Sequence, residues 1–200
     1  MSAERILMGQ YTGKSKSGGN YRHVRIDGST ETLQMIEYEH HEIHSGSHFF
    51  VHGVVDLSIN EVYDIRITTQ NTSKEAHFLY HILTDSKTDI YMYEGVQIAA
   101  AGTNIPIYNN NRNLPTNSIL LFSGILNTST ELANEDTLLA GSTAITHRKS
   151  GDGKEGGVVD RSDELILKRG TVYCKRFIAT AAGYINWKFQ WYEHTPKNAG

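Results

Sequence analysis

The side chains best able to do chemistry are concentrated in residues 37–52, which contain five histidines and three glutamates. Imidazole and carboxylate groups are ligands that zinc, iron and nickel accept in proteins. Four of these side chains are candidate ligands of a metal site: His40, Glu42, His44 and His48. We interpret residues 32–43 as a β-strand, and alternation along an extended chain would place the first three on one face.

The segment is similar to the histidine-rich strand of the cupins, a family of jelly-roll metalloproteins. The first cupin motif has two histidines one residue apart and a glutamate a few residues later, whereas here Glu42 stands between His40 and His44. His77 and His81 share a face of a later predicted strand, but no second cupin motif is present. We therefore expect no metal and no other cofactor. The histidines would instead form hydrogen bonds on a polar sheet face or at a subunit interface, with a cupin-like metal-binding protein as an alternative.

Other signatures of catalysis are missing from the sequence. It contains no Gly-x-Ser-x-Gly elbow, phosphate-binding loop or dinucleotide fingerprint. Cys174 lies in an alternating segment, which favours a small buried apolar residue over a nucleophile. No residue is assigned a catalytic role, and we predict that the chain is not an enzyme.

Three tyrosines suggest a different kind of site. Tyr91, Tyr93 and Tyr108, with the amides of residues 109–111, could form an aromatic platform for a carbohydrate. The alternative is that these tyrosines make protein contacts, because tyrosine is enriched at interfaces.

The elements that would position these side chains are β-strands. Alternation is clearest in residues 185–192, where four large apolar side chains point to one side and would anchor the core: Ile185, Trp187, Phe189 and Trp191. Short alternating runs predict strands at residues 21–26, 32–43, 49–57, 63–69, 76–83, 90–94, 118–126, 163–168, 171–180 and 185–192. The last two are separated by a short glycine-containing connection, which indicates a hairpin. Residues 99–117 and 149–157 are predicted to be irregular, and only 131–139 has a weak helical pattern.

This pattern predicts an all-β fold, an antiparallel two-sheet β-sandwich of jelly-roll type with an extended N-terminal arm. Residues 21–200 would form the single domain. The arm, residues 1–20, is polar and rich in glycine, so it would be flexible alone and ordered only against a partner.

Charge and hydropathy exclude two classes of partner. The net charge is −3 and the isoelectric point about 6.4, which disfavours a nucleic-acid clamp. No apolar stretch reaches the roughly 18 residues of a membrane span, so we expect no membrane partner.

Two long segments carry a resemblance to a known family. They are IEYEHHEIHSGSHFF at residues 36–50, followed by DLSIN at 56–60, and YINWKFQWYEHT at 184–195. Together they resemble a family of small virion proteins of tailed bacteriophages, over most of the chain from about residue 24. The resemblance implies a capsid decoration (cement) protein of the phage head, made in the host cytoplasm. It would bind the major capsid protein and copies of itself, for example as a trimer; a tail, baseplate or host-recognition protein is the alternative.

Candidate interface residues come from the amino-terminal segment and from the polar region 99–117. They are Lys14, Lys16, Tyr21, Arg22, His23, Arg25, Asn110 and Arg112. Long polar segments of this kind commonly make contacts.

Deleting residues 1–20 tests the proposed arm. We expect the remaining domain to fold, with an unchanged circular dichroism spectrum, and to occupy fewer sites on capsids, because the arm adds contact area without contributing to the core. Occupancy can be measured by quantitative gel analysis of purified particles. Equal occupancy by the full-length and shortened proteins would refute this role.

Overall fold

The computed structural model describes residues 38–97, 102–115, 117–127, 143–150, 155–157 and 164–196. The predicted arm, the strand at 21–26 and the weak helix at 131–139 lie outside these residues. So do six of the candidate interface residues: Lys14, Lys16, Tyr21, Arg22, His23 and Arg25.

Within the described residues the chain forms one short helix and twelve strands. The helix is α1 (Tyr38–Ser45), and no helix in this part of the chain is long and apolar enough to cross a membrane. The strands, in chain order, are β1 (His48–Leu57), β2 (Val62–Thr69), β3 (Glu75–Thr84), β4 (Thr88–Glu94), β5 (Thr103–Asn104), β6 (Tyr108–Asn109), β7 (Leu120–Asn127), β8 (Thr143–Lys149), β9 (Glu155–Gly157), β10 (Leu165–Leu167), β11 (Val172–Ala179) and β12 (Gly183–His194).

The strands form two antiparallel sheets. Sheet I has the order β10-β3-β12-β1-β6, with β9 also paired to β3, and sheet II has the order β5-β7-β2-β11-β4-β8. The pairing is nested: β1 pairs with β12, β2 with β11, β3 with β10, and β4 with β8. Nested pairing results when one long antiparallel hairpin folds over into two facing sheets. This arrangement is a jelly roll. The predicted fold class is confirmed.

The core lies between the two sheets. The inward side chains of β12 anchor it as predicted, since Ile185, Trp187, Phe189 and Trp191 are at most 4% exposed. Phe122 of sheet II packs against this row, with its ring centre 5.0 Å from that of Trp191. Burying a large apolar side chain contributes about 1.5–3 kcal/mol. This row therefore holds the two sheets together.

The predicted hairpin between residues 171–180 and 185–192 is wrong. β11 pairs with β2 and β4 in sheet II, whereas β12 pairs with β1 and β3 in sheet I. The short connection is an arch from one sheet to the other, so that Phe177 and Phe189 both point into the core. Gly183 is required there because a Cβ atom would collide with the Asp85 side chain, which accepts a hydrogen bond from the backbone N–H of Tyr184 at 2.6 Å.

The two segments predicted to be irregular contain short strands. β5 and β6 lie within residues 99–117, and β9 lies within 149–157. Each pairs through its backbone with an existing strand, which requires no side-chain alternation. β8 was also absent from the predicted strands.

A buried carboxylate near the end of β12 forms hydrogen bonds with the residues just before β7. Glu193 is 2% exposed, and one of its oxygens accepts hydrogen bonds from three donors. They are the Ser118 hydroxyl at 2.6 Å, the Ile119 backbone N–H at 2.9 Å and the Trp191 indole N–H at 2.9 Å. The contact links the two sheets at this end of the sandwich.

A buried ion pair joins two neighbouring strands of sheet II. Asp64 of β2 is fully buried, and both its oxygens accept hydrogen bonds from the Arg176 guanidinium of β11 at 2.8 Å. Asp64 and Arg176 are direct cross-strand partners. Removing one member of such a pair leaves an uncompensated buried charge.

We expect Asp64→Asn to lower the free energy of unfolding by about 3 kcal/mol, because the Arg176 cation would remain buried without its counter-charge. Urea denaturation measures the change. Asp56→Asn is the control, since Asp56 lies on an exposed position of β1 and its substitution should stay within about 0.5 kcal/mol of the unsubstituted protein. Equal stabilities for the two variants would contradict the assigned role of the pair.

Candidate functional site

The histidine-rich segment forms a helix and not the predicted strand. α1 ends in a Schellman motif: Gly46 adopts a left-handed backbone (φ 78°), its N–H donates to Ile43 O at 3.2 Å, and the Ser47 N–H donates to Glu42 O at 3.0 Å. Gly46 was the sequence signal for this helix end. The predicted strand over residues 32–43 is therefore wrong from Tyr38 onward.

The four candidate metal ligands do not come together in one site. His40 and His44 are neighbours on α1, with their Nε2 atoms 3.0 Å apart. Glu42 is buried, and its carboxylate accepts hydrogen bonds from the hydroxyls of Ser45 and Ser47. Among the described residues, no group of three or more His, Cys, Asp or Glu side chains could hold a metal ion. A common strand face for these ligands is thus excluded.

The fourth candidate, His48, is the first residue of β1 in sheet I and lies opposite Tyr192 of β12. It is buried at the start of β1 and accepts a hydrogen bond from the Asn110 side-chain amide. The Asn109 amide next to it donates to Gly46 O at 2.8 Å and to Pro115 O at 3.2 Å. Hydrogen bonds therefore connect the turn that follows β6 to the end of α1. Asn110, predicted to be an interface residue, makes a side-chain hydrogen bond within the fold.

Arg112, the second described interface candidate, borders a row of stacked rings. Its guanidinium carbon lies 5.3 Å from the centre of the Tyr108 ring. Tyr108 stacks on Phe50 and His52, at centroid distances of 5.4 and 5.8 Å, and Lys188 lies 5.5 Å from the Phe50 ring. These contacts run across β6, β1 and β12, on the side of sheet I that faces away from the core.

This surface, the outer face of sheet I, continues into exposed apolar residues. Val54 of β1 and Leu83 of β3 flank Asn186 of β12 as cross-strand partners, and Tyr184 lies two positions from Asn186. Val54, Leu83 and Tyr184 are 65%, 52% and 51% exposed. Sequence reasoning did not identify this patch, although the outward positions of β1 and β12 were readable from their alternation.

At its other end the outer face of sheet I carries a polar cluster. His77 Nδ1 is in close contact with Glu164 Oε1, the Tyr192 hydroxyl donates to the same oxygen at 2.9 Å, and the His77 and Tyr192 rings stack at 4.5 Å. Here a histidine of β3 makes hydrogen bonds on a sheet face, whereas His40, His41 and His44, which we expected on such a face, lie on α1.

The proposed tyrosine platform is divided between the sheets. Tyr91 and Tyr93 lie on β4 of sheet II, whereas Tyr108 lies on β6 of sheet I. Tyr91 stacks on His147 of β8 with ring centres 4.2 Å apart. A single carbohydrate platform made of these three tyrosines is therefore wrong.

The core contains a lysine in place of an apolar residue. Lys175 of β11 points inward in register with Tyr173 and Phe177, and it is fully buried. Its amine lies 3.6 Å from the centre of the Tyr80 ring, and no hydrogen-bond partner of Nζ is found among the described residues. Burial, reinforced by the positive charge of Arg148, lowers the pKa of Lys175 to about 7.

Tyr80 also lines a cavity of about 380 Å³ between the edge strands β8 and β10. The other lining residues are Ile145, Thr146, His147, Arg148, Glu164 and Leu165.

The remaining nucleophile, Cys174, is fully buried as predicted, and burial raises the pKa of its thiol. In the described residues neither the lysine nor the thiol is open to solvent.

Comparison of the chain with protein-family models, with curated proteins and with solved structures finds no match.

We expect Lys175→Met to raise the free energy of unfolding by about 2–5 kcal/mol at pH 6, because the folded state must bury a cation there. Between about pH 7 and 10.5 the Lys175 amine has lost its proton in the folded protein but keeps it in the unfolded chain, because its pKa is lowered only in the fold. The stability of the unsubstituted protein should therefore rise with pH across that window, and the advantage of the variant should shrink. Urea denaturation at pH 6, 8 and 10 measures both effects.

Lys188→Met is the matched control, since Lys188 is an exposed lysine on β12. It should change stability little and leave the pH dependence intact. A Lys175→Met variant less stable than the unsubstituted protein would show that the amine makes a net favourable contact in the core.

Proposed function

We propose that this chain is a non-enzymatic structural protein of a tailed-phage virion, a decoration (cement) protein that stabilises the capsid head. Its partners are the major capsid protein and other copies of itself, arranged as a closed ring such as a trimer. The resemblance of residues 36–50, 56–60 and 184–195 to small virion proteins supports the phage assignment. The jelly-roll fold supports a role that requires a stable β core and broad contact surfaces.

The observation that carries the proposed binding mode is the outer face of sheet I. It combines the exposed apolar groups of Val54, Leu83 and Tyr184 with a row of stacked rings bordered by Lys188 and Arg112. Aromatic residues and arginine are enriched at protein interfaces, where apolar groups lose water and cations lie at the rim. We assign this face to the capsid shell.

The same surface explains why a binding role is favoured over catalysis. At one end of it, His77, Glu164 and Tyr192 are held in contacts with one another, and in sheet II Cys174 and Lys175 are enclosed in the fold. An extended sheet face suits a broad protein partner better than a small molecule, which usually requires a concave pocket.

We expect Leu83→Glu to lower capsid occupancy about tenfold, because a carboxylate in the apolar patch would have to be desolvated on binding. Leu121→Glu is the matched control: Leu121 lies on β7 of sheet II and is 54% exposed, against 52% for Leu83. Occupancy is measured on purified particles at a subsaturating concentration of each protein. Equal loss in both variants, or no loss with Leu83→Glu, would contradict the assignment of this face.

A reconstruction of the intact particle tests the proposed station. The expected density is a jelly roll on the outside of the head, with the outer face of sheet I against the shell. Density in the tail or baseplate would overturn the decoration role while preserving a structural one.

A further inference from the structure

The exposed side of α1 presents two imidazoles one helical turn apart. His40 and His44 occupy positions i and i+4, which face the same side of a helix. Their Nε2 atoms share a hydrogen bond of 3.0 Å, and the ring centres are 4.7 Å apart with the planes inclined by 69°. Both rings are exposed, so a dissolved ion can reach the two nitrogens.

The distance in this hydrogen bond also matches that between two nitrogens bound to one metal ion, which would replace the shared proton. Zinc–imidazole bonds are about 2.0–2.1 Å long, so two such nitrogens lie about 2.9 Å apart at a right angle and about 3.3 Å apart at the tetrahedral angle. The observed 3.0 Å falls between these values.

We propose that His40 and His44 form a two-imidazole chelate for a divalent transition metal ion of the zinc and nickel class. Imidazole is a preferred ligand of these ions. The site is independent of the proposed function. Among the described residues, no third His, Cys, Asp or Glu side chain joins the pair.

Contacts at the end of α1 fix the backbone that carries the two proposed ligands. The Schellman motif at Gly46 closes the last turn, and the buried Glu42 carboxylate ties the opposite side of α1 to Ser45 and Ser47. The carbonyl of His44 also accepts a hydrogen bond from the Asn111 amide at 3.4 Å. The backbone that carries the two ligands is therefore already ordered before the metal binds, which favours affinity.

The neighbouring histidine supplies an internal comparison. His41 stands between the two ligands in sequence but one position round the helix, and its side chain is 60% exposed, with Nδ1 3.5 Å from Glu42 Oε1. It is chemically identical to the proposed ligands and lies on the same helix, so it shows whether the position of the imidazole matters.

The experiment is calorimetric titration of the full chain with Ni²⁺ and, separately, with Zn²⁺. The variants are His40→Ala, His44→Ala and His41→Ala. We expect one ion per chain in the unsubstituted protein. The affinity should fall at least tenfold in His40→Ala and in His44→Ala, and it should stay within about twofold in His41→Ala, because only the first two remove a ligand. Equal weakening by all three substitutions, or no weakening by the first two, would overturn the proposal.

Electron paramagnetic resonance of the unsubstituted protein with one equivalent of Cu²⁺ gives a readout that does not depend on the variants' folding. Two imidazole nitrogens coupled to the copper ion are expected. Coupling to one nitrogen or to none would also overturn the proposal.

Discussion

The packing of one row of side chains between two sheets is the interaction on which the rest of the molecule depends. β12 lies in the middle of sheet I and contributes Ile185, Trp187, Phe189 and Trp191 to the core. If fully buried, four such groups can contribute several kcal/mol in total. The outer face of sheet I is positioned by strands that this row holds in place, because β1 and β3 pair with β12 on either side.

Much of this architecture was readable from alternation, and the remainder was not, for physical reasons. A period of two shows which side chains share a face, and it correctly identified the buried row of β12. It does not show which sheet a strand joins, so the connection at Gly183 fitted both a hairpin and an arch between sheets. β9 was missed because a strand that pairs through its backbone at a sheet edge needs no apolar pattern.

The histidine segment shows a second limit. Polar residues that alternate along a strand also recur on one side of a helix when they are spaced by four, so His40 and His44 were paired under either interpretation. Glu42 distinguishes the two, since a strand would place it beside them, whereas the helix buries it against Ser45 and Ser47. The sequence also did not predict which polar side chains are buried, namely Glu193, Asp64 and Lys175. Burial of a charge depends on residues that are distant in sequence.

The nested order of strand pairs bears on how the molecule is built. The outermost pair places His48 of β1 opposite Tyr192 of β12, two residues near opposite ends of the described sandwich. Sheet I therefore lacks its central strand until β12 has left the ribosome. Folds dominated by such distant pairings acquire their native contacts slowly, and apolar strands such as β3 remain exposed to aggregation in the meantime.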